Sequence, residues 1–241
     1  MNKQISIDNN DREMSISEHL NELRQRFLTT LILFGISTTS SFLMLKNLTL
    51  ILQKPAKGVK FLQLAPGEYF FVSVKIAFYC GILLCLPIAI YHIIMFILPG
   101  LTGTEANIII PSLLGSVCLF FVGIVFGYIV LAPAALAFFI NYGADIIEPI
   151  WSFEQYFDFI LLLLLSTGLA FQIPILQIFL GLLNIISSQQ MLSAWKYVIV
   201  IATILGAILT PSTDPFTQTL MAVAILALYF SGVSILIILK K

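Results

Sequence analysis

Glu105 is the sole charged residue between positions 99 and 107, and Glu22 shares a helical face with Glu18 and Arg26 at steps of four. A carboxylate can take a guanidinium through two parallel N–H···O bonds, a geometry that an ammonium cannot reproduce. Two such carboxylates on one side of a membrane can hold a pair of arginines. The bland alternative is that each is a solvated charge, since exposed carboxylates are ordinary. Other chemistries find no support in the sequence. No nucleophile stands with a base, and no paired aspartates lie in an apolar run, so the chain reads as a non-enzyme. It has no glycine-rich phosphate loop and is not expected to hydrolyse ATP. Cys80, Cys85 and Cys118 fall in apolar segments and read as small packing residues. His19 and His92 stand apart, with no carboxylate cluster beside them. Neither a metal nor any other cofactor is expected.

The elements that must position these carboxylates follow from composition. Of 241 residues, 59% are hydrophobic and 10% charged, and the net charge is zero. The mean hydropathy is +1.03. Soluble domains carry about 25% charged residues, so a soluble enzyme or binding module is excluded. Zero net charge argues against nucleic acid as a partner. Charge-free runs cover 27–45, 76–104, 106–144, 159–195, 197–213 and 215–239. About 20 apolar residues of helix cross a hydrocarbon core of roughly 30 Å. The runs are continuous rather than alternating, which predicts helices instead of transmembrane strands.

The expected fold is an all-α membrane protein with six spans near 27–45, 70–98, 108–135, 157–180, 196–210 and 216–238. They form one polytopic domain over 15–239, after a disordered tail at 1–14. The fifth span is short, because Val198 to Leu209 yields only about 18 Å of helix. The segment from Thr210 to Phe216 then turns the chain sharply. Four full spans plus a re-entrant hairpin at 198–238 is the competing arrangement. Six spans put both tails and the loops 99–107 and 182–196 on one face, which brings Glu22 and Glu105 to the same side. Loops 46–69 and 140–156 lie opposite. The tail face then holds seven basic residues against five, which under the positive-inside rule favours tails inside.

Local signals refine this picture. Ser15-Ile-Ser-Glu18 reads as a capping box. Ile16, Leu20, Leu23 and Phe27 form one stripe, so an amphipathic helix is expected in the interface before the chain turns into the first span. Asp158 stands alone at the head of the fourth span, where a negative charge favours a helix start. Pro87, Pro111, Pro133 and Pro174 each remove an N–H and are expected to kink their helices into a concave bundle. Gln172 and Gln177 are expected either to bond between helices or to face a docked partner. No cleavable leader is expected, because the first 26 residues lack an apolar core and carry five acids. The chain thus reads as made in the compartment that inserts it, a bacterium or an organelle. Its 36 isoleucines suit an AT-rich organelle genome.

An ordered set of motifs then resembles one family. Glu18-His-Leu-Asn-Glu-Leu-Arg-Gln-Arg26 is similar to the N-terminal signature of TatC, the polytopic subunit of the twin-arginine protein translocase. Gln53-Lys-Pro55, Ala65-Pro-Gly-Glu-Tyr-Phe-Phe71 and Val74-Lys-Ile76 follow in order. So do Leu86-Pro-Ile-Ala-Ile-Tyr91 and Phe96-Ile-Leu-Pro-Gly-Leu101, with Glu105 after them. Phe171-Gln-Ile-Pro174 and Leu209-Thr-Pro-Ser-Thr-Asp-Pro-Phe-Thr-Gln218 complete the series. Many bacterial members have glutamate where this chain has Gln172. Glutamine there resembles the chloroplast and cyanobacterial branch and removes any titrating role at that point.

The resemblance implies six helices with short fifth and sixth spans and both termini on the stromal or cytoplasmic face. It implies recognition of folded precursors bearing an Arg-Arg signal, with transport driven by the proton-motive force. Expected partners are signal peptides, single-span TatA- and TatB-like proteins, the bilayer, and further copies of the chain within a larger complex. A thylakoid location is expected, with a bacterial inner membrane as the alternative. Glu22 and Glu105 are expected to take the guanidiniums, with Arg24, Phe96, Pro99 and Leu101 shaping the surface. Pro55, Gln172 and Asp214 are the expected partner contacts. The competing function is a secondary transporter or channel for a small solute, which would require intramembrane charges or an internal repeat.

Overall fold

The structure, a computed structural model, describes residues 16–56, 58–97, 103–142, 146, 148, 150–211 and 214–239, with side chains for all of these except 16, 97 and 103–110. Helix α1 (Ile16–Leu43) runs without interruption through the expected interfacial segment and the first span. The expected turn between them is absent for a simple reason: the helix contains no proline, and its first glycine is Gly35. Thr29, Thr30 and Thr39 donate their hydroxyls to carbonyls four residues back, so these three hydroxyls are satisfied within the helix. The capping box at Ser15 lies outside the described residues.

Helix α2 (Leu45–Gln53), a 3-10 turn (Lys54–Ala56) and strand β1 (Lys60–Leu62) form the first outer loop. Helix α3 (Glu68–Ile97) returns, and α1 packs chiefly against it. The two backbones come close at Gly81, where a Cβ would fall 2.9 Å from Thr38 Cα. The third span is α4 (Gly103–Phe126), a wider π-type turn (Gly127–Leu131) and α5 (Ala132–Asn141). The wide turn sits where the ring of Pro133 opposes the carbonyl four residues back, which breaks the regular ladder. Strand β2 (Ile150–Ser152) leads into α6 (Phe153–Ala170), and α7 (Ile173–Leu182) completes the fourth span. The break at Phe171–Gln172 answers Pro174, which stands in the first turn of α7. Pro87 and Pro111, in contrast, sit inside continuous helices.

A short α8 (Ser188–Ser193) precedes α9 (Trp195–Leu209) and α10 (Pro215–Ile238). With 15 residues, α9 is the short fifth span; α10 has 24 and is full length, unlike the short sixth span that the resemblance implies and unlike the competing re-entrant hairpin. Among the described residues five helical stretches are thus long and apolar enough to cross a membrane, with α9 as a shorter sixth. The α6 helix forms the centre of the core: Phe157, Ile160, Leu161 and Leu163 are fully buried, together with Val72, Phe120 and Leu131. α1, by comparison, leaves Phe27, Leu31, Ile32 and Ile36 exposed, as suits a helix that faces lipid.

One small sheet was not foreseen. β1 and β2 pair in parallel, with Lys60 opposite Ile150 and Leu62 opposite Ser152. This ties the first and third inter-span loops together at one end of the bundle. At the other end, His19 of α1 meets Phe96 of α3, Ile94 packs with Ile178 and Leu182 of α7, and Leu236 of α10 packs with Leu180. The two described termini therefore lie at the same end.

Candidate functional site

The tail-side end is built by the first turns of α1 and the last turns of α3. The His19 ring stacks on Phe96 with centroids 4.1 Å apart and planes 16° from parallel. One turn on, Glu22 accepts from Arg26 Nε at 3.0 Å and also from Arg26 Nη2. The step of four places them on one face, with the acid N-terminal to the base. The other carboxylate oxygen, Oε2, is shielded and has no hydrogen-bond donor among the described residues; His19 Nδ1 stands 3.9 Å from it. The site therefore already holds one guanidinium from within and keeps one acceptor oxygen unfilled. Arg24 is exposed on α1. Pro99 and Leu101 lie outside the described residues. Glu105 belongs to α4, but its side chain is outside the described set.

The three other candidates are placed elsewhere. Gln172 sits in the break of the fourth span and is only 8% exposed. Its Oε1 accepts from Ser116 Oγ at 2.6 Å, and its Nε2 donates to the Ser116 carbonyl at 3.2 Å. The amide thus bonds between helices, to α4, as a mid-membrane amide must. Pro55 stands in the 3-10 turn of the outer loop. Two tyrosines pin the residues before it: Tyr128 donates to the Ile51 carbonyl at 2.7 Å and Tyr156 to the Leu52 carbonyl at 2.6 Å. Asp214 is 1% exposed and caps α10, its Oδ1 accepting from Thr217 N–H at 2.7 Å and its Oδ2 from the Thr217 hydroxyl. A side-chain acceptor at this position satisfies one of the orphan N–H groups of the first turn.

The outer end holds a polar cluster that sequence reasoning missed. Lys75 Nζ donates to Glu154 Oε1 at 2.6 Å and to both oxygens of Asp158 at 2.9 Å. Asp158 is therefore not the lone helix starter expected of it; Ser152 is the cap, accepting from Gln155 N–H at 3.4 Å. Glu68 is buried beside this cluster and gathers three backbone N–H groups. One oxygen accepts from Leu64 and Ala65 at 2.6 and 3.0 Å, the other from Glu154 at 2.9 Å. The signal was present: a lysine within an apolar span calls for an acid partner, and Glu154 and Asp158 share one helical face. Among the described residues no cluster could hold a metal ion.

Comparison with known proteins agrees with this architecture. The family described as Sec-independent protein translocase protein (TatC) matches residues 18–223. A tatC-like protein, ycf43, of Pyropia yezoensis is 62% identical over 98% of this chain and 93% of its own length. The Sec-independent protein translocase protein TatC of Synechocystis is 54% identical over 96% of this chain and 91% of its own. The chloroplastic TATC of Pisum sativum is 51% identical over 92% of this chain and 64% of its own. A crystal structure described as the twin arginine translocase receptor TatC superposes with a TM-score of 0.80 at 36% identity, covering 91% of this chain and 99% of that one. The small-solute transporter reading is left without support. From its motifs, its fold and these relatives, the chain belongs to the TatC family: it is a multi-pass membrane subunit of the twin-arginine protein translocase, and not an enzyme.

Proposed function

We propose that the tail-side end of α1 and α3 is the receptor surface for the Arg-Arg signal of folded precursor proteins. The observation that carries this reading is Glu22, which binds the Arg26 guanidinium on one oxygen and keeps the other without a donor among the described residues. An incoming arginine either fills the vacant acceptor or displaces Arg26. The stacked His19–Phe96 pair beside it offers an apolar wall to the flat face of a guanidinium. Glu105 lies in the first turn of α4 and supplies the second carboxylate. Arg24, Pro99 and Leu101 complete the surface.

Partner capture falls to the other end and to the bundle. In this reading single-span TatA- and TatB-like proteins, and further copies of the chain, dock near Gln172 and the outer turns at Pro55 and Asp214. Because Asp214 is a buried cap, its contribution is the shape of the turn it holds. For Gln172 to engage a partner helix, it must release Ser116. The proton-motive force drives transport. The plastid and cyanobacterial relatives favour a thylakoid membrane with both termini in the stroma, the bacterial inner membrane being the alternative.

The test is a binding series with Arg-Arg and Lys-Lys signal peptides on the purified chain. Glu22→Gln and Glu105→Gln should each weaken the Arg-Arg peptide far more than the Lys-Lys peptide. Equal loss for both peptides would reduce the carboxylates to general charge and overturn the assignment.

A further inference from the structure

A cavity of about 430 Å³ opens between α5, β2 and α6 at the outer end of the bundle. Phe139 and Phe159 meet edge to face at its floor, with centroids 6.5 Å apart. Trp151 and Tyr156 lie nearly parallel along one wall, 6.3 Å apart and 19° from coplanar. Phe159 is six residues past the start of α6, about 9 Å down the helix axis. The cavity therefore reaches from the loop layer to the boundary where headgroups meet acyl chains, the depth at which amphipathic aromatic rings gather.

The lining is mostly aromatic and apolar, with a few polar groups and no charge. Ser152 and Gln155 form part of it, and no described lining residue carries a charge. Among the described residues the Gln155 side-chain amide and the Trp151 indole N–H have no hydrogen-bond partner. Three consecutive β2 residues, Ile150, Trp151 and Ser152, line the cavity. Successive strand side chains alternate between faces, so the strand backbone lines it as well. Among the described residues β2 pairs only with β1, which leaves its other edge open. Glu154 and Asp158 occupy the neighbouring face of α6 and are held by Lys75. With Glu68, and with the exposed Lys60–Glu148 pair beside Ile150, four acids stand against two bases nearby, a field that disfavours a phosphate.

We infer that this cavity binds the uncharged sugar headgroup of a membrane glycolipid. The aromatic faces take the apolar C–H face of the pyranose ring. The amide, the indole N–H and the free strand edge take its hydroxyls, and the acyl chains leave along α5 and α6 into the bilayer. A pocket of this size, mostly apolar with a few convergent polar groups, has the make-up of a small-ligand site.

The test uses the full chain in an amine-oxide detergent that carries no sugar. It is offered equimolar galactosyl diacylglycerol, phosphatidylcholine and phosphatidylglycerol with matched acyl chains, and retained lipid is read by native mass spectrometry. The galactolipid should be retained at least about fivefold over either phospholipid. Gln155→Leu and Trp151→Leu should each bring retention close to parity, and methyl galactoside at the lipid's concentration should displace nothing. Equal retention of the three lipids, preference for a phospholipid, a preference that survives both substitutions, or displacement by the free sugar would each overturn the inference. Should a variant fail to fold, the wild-type competition among the three lipids decides alone.

Discussion

Substituting Gln172 by leucine isolates one polar contact inside the membrane domain. Leucine nearly conserves the volume, so no large cavity opens. What is lost is the pair of hydrogen bonds to Ser116, at 2.6 and 3.2 Å. Ser116 is fully buried, so its hydroxyl is left without the Gln172 acceptor. An unsatisfied buried group costs about 1–3 kcal/mol. A helical serine can turn to the carbonyl four residues back, which brings the cost toward the lower end, about 1 kcal/mol. Ser116→Ala should cost a similar amount by leaving the amide oxygen bare. The double variant should cost less than the sum of the singles by roughly 1 kcal/mol, within the range found for hydrogen bonds between membrane helices. Reversible unfolding of the four proteins in one detergent measures this cycle. If the two substitutions add to within about 0.3 kcal/mol, the pair is not energetically coupled and the reasoning fails.

Other perturbations test separate features. Gly123→Ala should destabilise by about 1–3 kcal/mol, because its Cβ would fall 2.8 Å from the Thr167 carbonyl oxygen, a backbone atom that cannot swing away. Gly115→Ala, whose Cβ would meet only Ile175 Cδ1 at 3.8 Å, should leave the thermal midpoint nearly unchanged. Lys75→Met should lower stability by less than about 1 kcal/mol, since all three side chains of the cluster are over a third exposed, and Glu154→Gln in the same chain should restore part of it. Ser116→Ala should free the Gln172 amide oxygen, Nε2 keeping the Ser116 carbonyl, and strengthen co-purification of a single-span partner; weaker co-purification with the chain still folded would count against Gln172 as a partner contact. In a chain lacking Cys80, Cys85 and Cys118, cysteines at Lys54 and Glu105 should label from opposite sides of the membrane, and labelling from one side would defeat the topology.

The spans were legible because apolar runs and bilayer thickness constrain each other, and the proline sites were legible as points of irregularity. Their outcomes were not: Pro174 breaks its span while Pro87 and Pro111 remain inside continuous helices. The Glu22–Arg26 pair was readable from its spacing alone, since partners four apart on a helix always meet. The partners of Lys75 were not: a lysine in an apolar span calls for an acid, but its acids lie 79 and 83 residues away and spacing does not say which they are. The strands were invisible for another reason: three residues carry too little alternation to form a pattern. The stripe from Ile16 to Phe27 was read as a separate interfacial helix, yet polarity alone does not stop a helix when no glycine or proline interrupts it. Asp214 was placed correctly in its turn, but a sequence cannot tell a carboxylate that faces outward from one folded back onto its own helix.

The parallel pairing of residues 60–62 with 150–152 bears on how the chain is made. A ribosome delivers β1 while its partner strand is still some ninety codons from translation, with all of α3, α4 and α5 between them. During that interval the first outer loop is held by the two N–H groups of Leu64 and Ala65 on Glu68 and, once the third span has emerged, by Tyr128 on the Ile51 carbonyl. The other oxygen of Glu68 waits for the backbone of Glu154, and Lys75 waits for its acids. Emergence of the fourth span therefore fastens strand, carboxylate and ammonium together. A nascent chain stopped before Ile150 holds α1 against α3 and can set Tyr128 on the Ile51 carbonyl, but lacks β2, Glu154 and Tyr156, which complete the outer face. Biogenesis of this protein thus contains a built-in checkpoint, at which the outer side is completed only by the arrival of the helix that forms the centre of the core.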